Sequence, residues 1–465
     1  MRTTFVALVA ALLSVSSAAG QEAGQYDRTA RAIFKELIEI NTTDSSGSTT
    51  RAADAMAARL KAAGFPDADV QVIGPDPRKG NLVARLRGNG TAKPILLLAH
   101  IDVVEARKED WSSDLDPFAL TERDGFLYGR GTTDDKAMAA IWVATLIRCK
   151  QEGFVPARDL IVALTADEEG GGSNGVNWLL ANHRALIDAE YVLNEGGGGE
   201  LKHGRAIANE VQAAEKVYYS VSLEVRNPGG HSSLPRKDNA IYRLAAALTR
   251  LAAFEFPVQL NEVTRGYFSR MASLETGQVA ADMKAMTTPA PAPEAANRLA
   301  AASPMYNALM RTTCVATELA GGHAENALPQ LARAVVNCRI LPGSDSRIVN
   351  HTLAEVLADD GIRVTPIWEA VPSPPSPLRP DLMAAVERHT KEMWPGVIVL
   401  PTMATGATDG LYLRNAGMPT YGVDGLFMDV DDVRAHGRDE RIGVSEFYAG
   451  REFLYRLVKT LAGNN

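Results

Sequence analysis

The chain has 465 residues, of which 46% are hydrophobic and 22% charged, and a formal net charge of −8. These are the proportions of an ordinary globular protein, long enough for one large domain or two medium ones with proper cores. The absence of a basic patch argues against nucleic acid as a partner, and neither repeats nor heptads occur.

The chain begins with a targeting segment. In MRTTFVALVAALLSVSSAAGQ, Arg2 supplies a positive start, Phe5 to Leu13 a short apolar run, and Ser17, Ala18, Ala19 and Gly20 a small-residue cleavage site. The run is too short to span a bilayer comfortably, which favours a cleaved signal peptide over a retained anchor. Residues 1–20 are therefore set apart from the fold. No other apolar stretch approaches roughly 18 residues, so the mature protein is expected to be soluble, free of the membrane, and periplasmic or secreted.

Tyr26 to Ile40 and Thr50 to Ala63 carry apolar residues at helical spacing. NLVARLRG and PILLLAHIDVV read as strands, and DDKAMAAIWVATLIRCKQEG as a long helix with an acidic start and a Gly stop. RDLIVALTADEE is a strand, Asn174 to Leu186 a helix and AEYVLNE another strand. Strands alternating with helices predict an α/β domain, a mostly parallel sheet with helices on both faces.

The character changes near residue 213. KVYYSVSLEVRN alternates like a strand with one exposed face, and the helix NAIYRLAAALTRLAAF follows. Residues 271–304 are rich in Ala, Met and Pro with weak periodicity, unlike neat lid elements. TTCVATELAGG and QLARAVVNCRIL read as an antiparallel pair, and a helix over 346–359 and the strand IRVTPIWEA close this block. After the Pro-rich connection VPSPPSPLRP, helix and strand signals resume up to a final helix from Ser445. The expected organisation is a catalytic domain formed by 21–212 and 373–465, interrupted by an α+β insertion over 213–372.

The three cysteines are Cys149, Cys314 and Cys338, with no C-x-x-C, so a thiolate zinc site is not expected. Cys314 and Cys338 lie on strands that can be neighbours and form the favoured disulfide pair; three free buried thiols are the alternative.

Ligands in open α/β sheets sit at the carboxyl ends of strands. His100 and Asp102 end one strand, Glu168 and Glu169 another and Glu195 a third, while Asp134 and Asp135 stand at a helix start. Singly, these have bland explanations: a strand-end polar pair, solvated loop acids, the start of a surface turn, or residues favoured at a helix N-terminus. Jointly they deliver one His and several carboxylates to one rim. Such acid repulsion calls for a cation, and imidazole with carboxylate suits zinc.

In family order, HIDVV, YGRGTTDDK, TADEEGG, NPGGHSS and AHGRDERI resemble the metallopeptidase family of glutamate carboxypeptidase, acetylornithine deacetylase, succinyl-diaminopimelate desuccinylase, aminoacylase and carnosinase. The resemblance covers nearly the whole mature chain and implies a zinc-exopeptidase fold whose inserted α+β domain serves as lid and dimerisation module. It implies two zinc ions per subunit. His100 and Glu195 would bind one and Glu169 the other, with Asp134 bridging and the peptide after it often cis, and His436 would be the last ligand. Asp102 would hold the other ring nitrogen of His100. Glu168 would act as general base on a metal-polarised water and then protonate the leaving amine. His231 would donate to the oxyanion, reaching across from a partner subunit in dimeric relatives. Asn326 and Arg339 match positions that hold the substrate's carboxylate, a task suited to the forked guanidinium. ATGATDG resembles a pocket-lining loop.

The reaction implied is water attack on an amide beside a free carboxylate, in a small peptide or N-acyl amino acid, by a carboxypeptidase, dipeptidase or deacylase. Glu195, rather than Asp, resembles the carboxypeptidase and deacylase branches. Two alternatives stand beside it. A bare-domain zinc aminopeptidase would share the rim but not the insertion with NPGGHSS. A non-catalytic zinc-binding or solute-binding exported protein would have no need of Glu168.

Overall fold

The computed structural model describes residues 24–289 and 291–463, so the signal segment expected over 1–20 lies outside the described residues. Two compact units emerge. The first comprises residues up to Val211, Arg379–Val399 and Met418 onward; the second comprises Gln212–Leu378 and Leu400–Gly417. The chain passes from the first unit to the second between Val211 and Gln212. It returns to the first unit at Arg379, and residues 400–417 group with the second unit. A buried ion pair explains this grouping: Glu215 pairs with Arg414 and accepts Ser373 Oγ (3.0 Å) and the Thr408 amide (3.1 Å).

In the first unit, Ile95–His100 lies between Leu160–Thr165 and Tyr191–Asn194, parallel to both, and Thr420–Gly422 adds in parallel beyond Tyr191–Asn194. Asn81–Leu86 joins antiparallel to Leu160–Thr165. All residues of Ile95–His100 and Leu160–Thr165 are buried, as expected for strands covered on both faces. Their runs of Ile, Leu, Val and Ala show why: β-branched and aliphatic side chains fill both sheet faces. The helix Lys136–Gln151 is apolar nearly all round and correspondingly buried, with the Trp142 indole donating to the Leu98 carbonyl at 3.0 Å. The C-terminal helix Val444–Ala462 stacks Phe447 on Phe34 of a helix over 24–39. Parallel register aligns His100 with Thr165, so their following loops emerge at one edge.

The second unit holds an antiparallel sheet in the order Thr313–Gly321, Leu331–Ile340, Val217–Arg226, Ile362–Pro366. Helices Ala240–Ala253 and Ser346–Leu357 cover one face, burying Leu244, Leu251, Val349 and Leu353 against Val221, Leu223 and Val336. The weakly periodic 271–304 stretch takes part in four helices: Glu262–Met271, Gly277–Met286, Pro293–Ala302 and Pro304–Met310. Their buried faces rest on Phe268, Met283, Met286 and Leu299, and an Asp282–Arg298 pair ties two of them.

Cys314 and Cys338 stand opposite each other in register and are joined by a disulfide (S–S 2.02 Å). Cys149 is buried, and burial pushes its thiol up to about 12. Native protein is therefore expected to release no colour from a thiol reagent, unfolded protein one equivalent, and reduced unfolded protein three, one for each cysteine. Two equivalents from the native protein would contradict this pairing. Among the described residues no helix is long and apolar enough to cross a membrane.

Candidate metal centre

Within the first unit, chain segments far apart in sequence converge beyond the strand ends. His100, buried at the end of its strand, directs Nε2 to Asp134 Oδ1 at 2.8 Å, and Glu195 Oε2 lies 3.6 Å from the same nitrogen. Asp134 Oδ2 faces His436 Nε2 at 3.0 Å, which lies 2.8 Å from Glu169 Oε1. The two oxygens of Asp134 therefore face different histidines, each with its own glutamate. Asp134 precedes the helix Lys136–Gln151 by two residues, and the Asp134–Asp135 peptide is cis, as the resemblance implies. His436 has φ +62, a left-handed backbone uncommon outside glycine.

Asp102 organises the floor. Its backbone carbonyl lies 3.1 Å from His100 Nδ1 and its carboxylate 3.6 Å. The same carboxylate accepts the amides of Glu168 (3.2 Å) and Glu169 (3.0 Å), so one buried residue meets the imidazole through its carbonyl and the acidic loop through its side chain. Asp167, the first acid of that loop, pairs with Lys79, which also pairs with Asp44. The three consecutive acids thus have distinct surroundings. Asp167 is neutralised by lysine, Glu169 faces His436, and Glu168 is half-buried between them.

The electrostatics favour positive charge at the centre. Burial opposes ionisation of Asp134, yet hydrogen bonds from His100 and His436 hold its carboxyl well below the usual range. Burial would lower His100, but Glu195 and hydrogen bonds to Asp102 and Asp134 raise it well above an ordinary imidazole. Hydrogen bonds to Asp134 and Glu169 lift His436 to about 10. Burial raises Glu195, and pushes nearby Asp424 up to about 7.

The donor set fits a divalent metal. Two groups, His100 with Asp134 and Glu169, and His100 with Asp135 and Glu195, each bring their ligand atoms within 4.8 Å of one another. Asp135 Oδ2 is buried with no hydrogen bond among the described residues, and Glu169 Oε1 is buried with only the His436 ring nitrogen beside it, at 2.8 Å. Oxygen atoms so placed suit a cation, and imidazole with carboxylate suits zinc, cobalt or manganese.

The remaining site residues belong to the second unit. His231 pairs with Ala327, and the Ser232 amide donates to the Asn326 carbonyl at 3.1 Å, so His231 and Asn326 are neighbours. Arg339 lies elsewhere, near the end of Leu331–Ile340, with its guanidinium over the Tyr218 ring (4.7 Å) and Nε donating to Asn337 Oδ1 at 3.3 Å. Sequence reasoning passed over Asp135 as a helix-start acid and left the roles of Lys79 and Asp424 unread. A signal did exist for Asp135, which directly follows Asp134.

The sequence pattern of Peptidase family M20/M25/M40 matches residues 96–460. The chain is 27% identical over 390 residues to human "N-fatty-acyl-amino acid synthase/hydrolase PM20D1", covering 79% of this chain and 74% of that protein. It is 26% identical over 385 residues to human "Aminoacylase-1", covering 80% and 81%. Among solved structures, the M20 family metallo-carboxypeptidase Sso-CP2 from Sulfolobus solfataricus superposes with a TM-score of 0.67 at 18% identity, over 92% of this chain and 98% of that one. The fold is that of these enzymes, a mostly parallel α/β sheet with a separate antiparallel sheet. The chain belongs to Peptidase family M20/M25/M40 and is a metallohydrolase of amino-acid amide bonds.

Proposed function

We propose that the protein is an exported two-zinc hydrolase that cleaves an amide beside a free carboxylate, in N-acyl amino acids or small peptides. The carrying observation is the Asp134 carboxylate, whose two oxygens face His100 and His436 at 2.8 and 3.0 Å. His100, Asp134 and Glu195 would hold one ion, and His436, Asp134 and Glu169 the other. The ions, when bound, neutralise the acids and polarise a water and the scissile carbonyl.

The chain's own residues divide the remaining work. Glu168 takes the proton of the attacking water and passes it to the leaving amine. His231 donates to the oxyanion. The Ser233 amide, which can only donate, points at His231 Nδ1 (3.2 Å), so a neutral imidazole carries its proton on Nε2, the outward donor this task requires. Arg339 has no ion-pair partner among the described residues and offers its fork to the substrate's carboxylate, alongside Asn326. The activities named for the two human relatives, on N-fatty-acyl amino acids and as an aminoacylase, favour an acylated amino acid as the substrate class.

A homodimer through the second unit accompanies this reading. Arg339 lies eight residues beyond Leu331 on its strand, about 26 Å, while His231 and Asn326 lie before that strand begins. One copy's second unit therefore spreads these groups too widely for one small substrate, and a second copy would supply the missing ones. The edge strand Thr313–Gly321 is largely exposed, including Val315 and Leu319, and Ile241 and Tyr242 stand exposed on the helix Ala240–Ala253. Such an apolar edge suits coverage by another copy. Export is supported by the Cys314–Cys338 disulfide, which suits an oxidising compartment.

The test is hydrolysis of N-acyl amino acids, dipeptides and amino-acid amides, with and without a chelator. Cleavage of the first two, abolished by chelation and restored by zinc, is expected. Cleavage only of amides lacking a free carboxylate would favour an aminopeptidase, and activity insensitive to chelation would overturn the metal mechanism.

A further inference from the structure

Glu440 is fully buried, four residues beyond His436, and its carboxylate is surrounded by donors from a loop more than 300 positions earlier. Oε2 accepts Arg130 Nη1 at 2.7 Å and the Gly131 amide at 3.2 Å. Oε1 accepts the Thr133 amide (2.8 Å), the Thr133 hydroxyl (2.9 Å) and the Asp134 amide (3.3 Å). Arg130 continues the chain of contacts, with Nη2 donating to the carbonyls of His436 (3.2 Å) and Gly437 (3.1 Å). The backbone adds one more link, from the Gly129 amide to the Glu440 carbonyl at 3.1 Å.

From this we infer that the Glu440–Arg130 pair is a positioning latch that holds the Asp134 loop and the His436 loop at one fixed separation, and so sets the affinity of the ion shared by Asp134, Glu169 and His436. Glu440 itself touches neither ion nor substrate. It reaches Asp134 through that residue's own amide, and His436 through Arg130. The left-handed backbone of His436 makes the second link matter, because a conformation uncommon for a non-glycine residue persists only when its surroundings fix it. The carboxylate must be an acceptor at both oxygens. Glu440→Gln would keep the shape and turn an NH2 toward one set of donors, leaving buried groups opposed.

This inference rests on the two-ion reading. The experiment is titration of metal-free full-length protein with zinc in competition with a chromophoric chelator, alongside melting curves of the metal-free protein. For Glu440→Gln one of two binding steps is expected to weaken by about 10- to 100-fold, the usual effect of disturbing a ligand's support, with the other step within about threefold of wild type. Excess zinc is expected to restore kcat, which a general packing defect would not allow. Arg130→Lys, which keeps the charge but not the fork, should weaken the same step and serves if Glu440→Gln does not fold. Two steps unchanged in both variants, or two steps weakened equally, would overturn the latch. Wild-type protein that binds no zinc would instead overturn the two-ion reading itself.

Discussion

Glu168→Gln is expected to lower kcat by about 1,000-fold while leaving KM and bound zinc unchanged. The substitution keeps the size and shape of the side chain and removes its capacity to accept a proton. The Glu168 and Glu169 amides are both held by the Asp102 carboxylate, at 3.2 and 3.0 Å, and these backbone contacts persist in the variant. Glu169 therefore stays beside His436 and the ligand set survives. His100→Ala should behave differently. It removes an imidazole that faces both Asp134 and Glu195, leaving buried carboxylates without their positive neighbour. Zinc and turnover should then fall together. Elemental analysis of the two purified variants, paired with their kcat values, separates the roles, and equal zinc loss in both would contradict the assignment of Glu168 as base.

Of the proposed metal ligands, His100, Asp134, Glu169 and Glu195 sit at signals that sequence carries well: the end of an apolar strand or the start of a long helix. His100 follows a fully buried run, Glu168 and Glu169 follow another, and Glu195 follows Tyr191–Asn194. Parallel pairing then brings their loops to one edge without further information. His436 has no such local cue, and its place came from the motif resemblance alone. What stayed hidden depends on contacts between distant segments. The helices between Glu262 and Met310 bury Ala and Met on short faces, so their periodicity is faint. The grouping of 400–417 with the second unit turns on Glu215, whose partners Ser373, Thr408 and Arg414 lie more than 150 positions away. Glu440 looks like one more charge in AHGRDERI until its donors are seen. The predicted helix over 174–186 breaks in two at His183, whose backbone leaves the helical region at φ −140.

Mixing two inactive proteins should restore activity if His231 works across a dimer. Glu168→Gln lacks the base but keeps His231; His231→Ala lacks the oxyanion donor but keeps Glu168. Co-refolded in equal amounts, about half of the dimers would contain one chain of each kind. In such a dimer the site built on the His231→Ala chain has its own Glu168 and receives His231 from its neighbour. The other site lacks its base. The mixture should therefore reach about one quarter of wild-type kcat, from two components that are each lower by about 100-fold or more. If His231 instead serves the site of its own chain, every site in the mixture lacks one group and activity stays at the level of the parents. The spread of His231, Asn326 and Arg339 within one second unit favours the first outcome, because Arg339 pairs with Tyr218 and Thr313 at one end of its strand while His231 pairs with Ala327 beyond the other. Sedimentation of the wild type as a monomer at assay concentration, with full activity, would remove the basis for the arrangement.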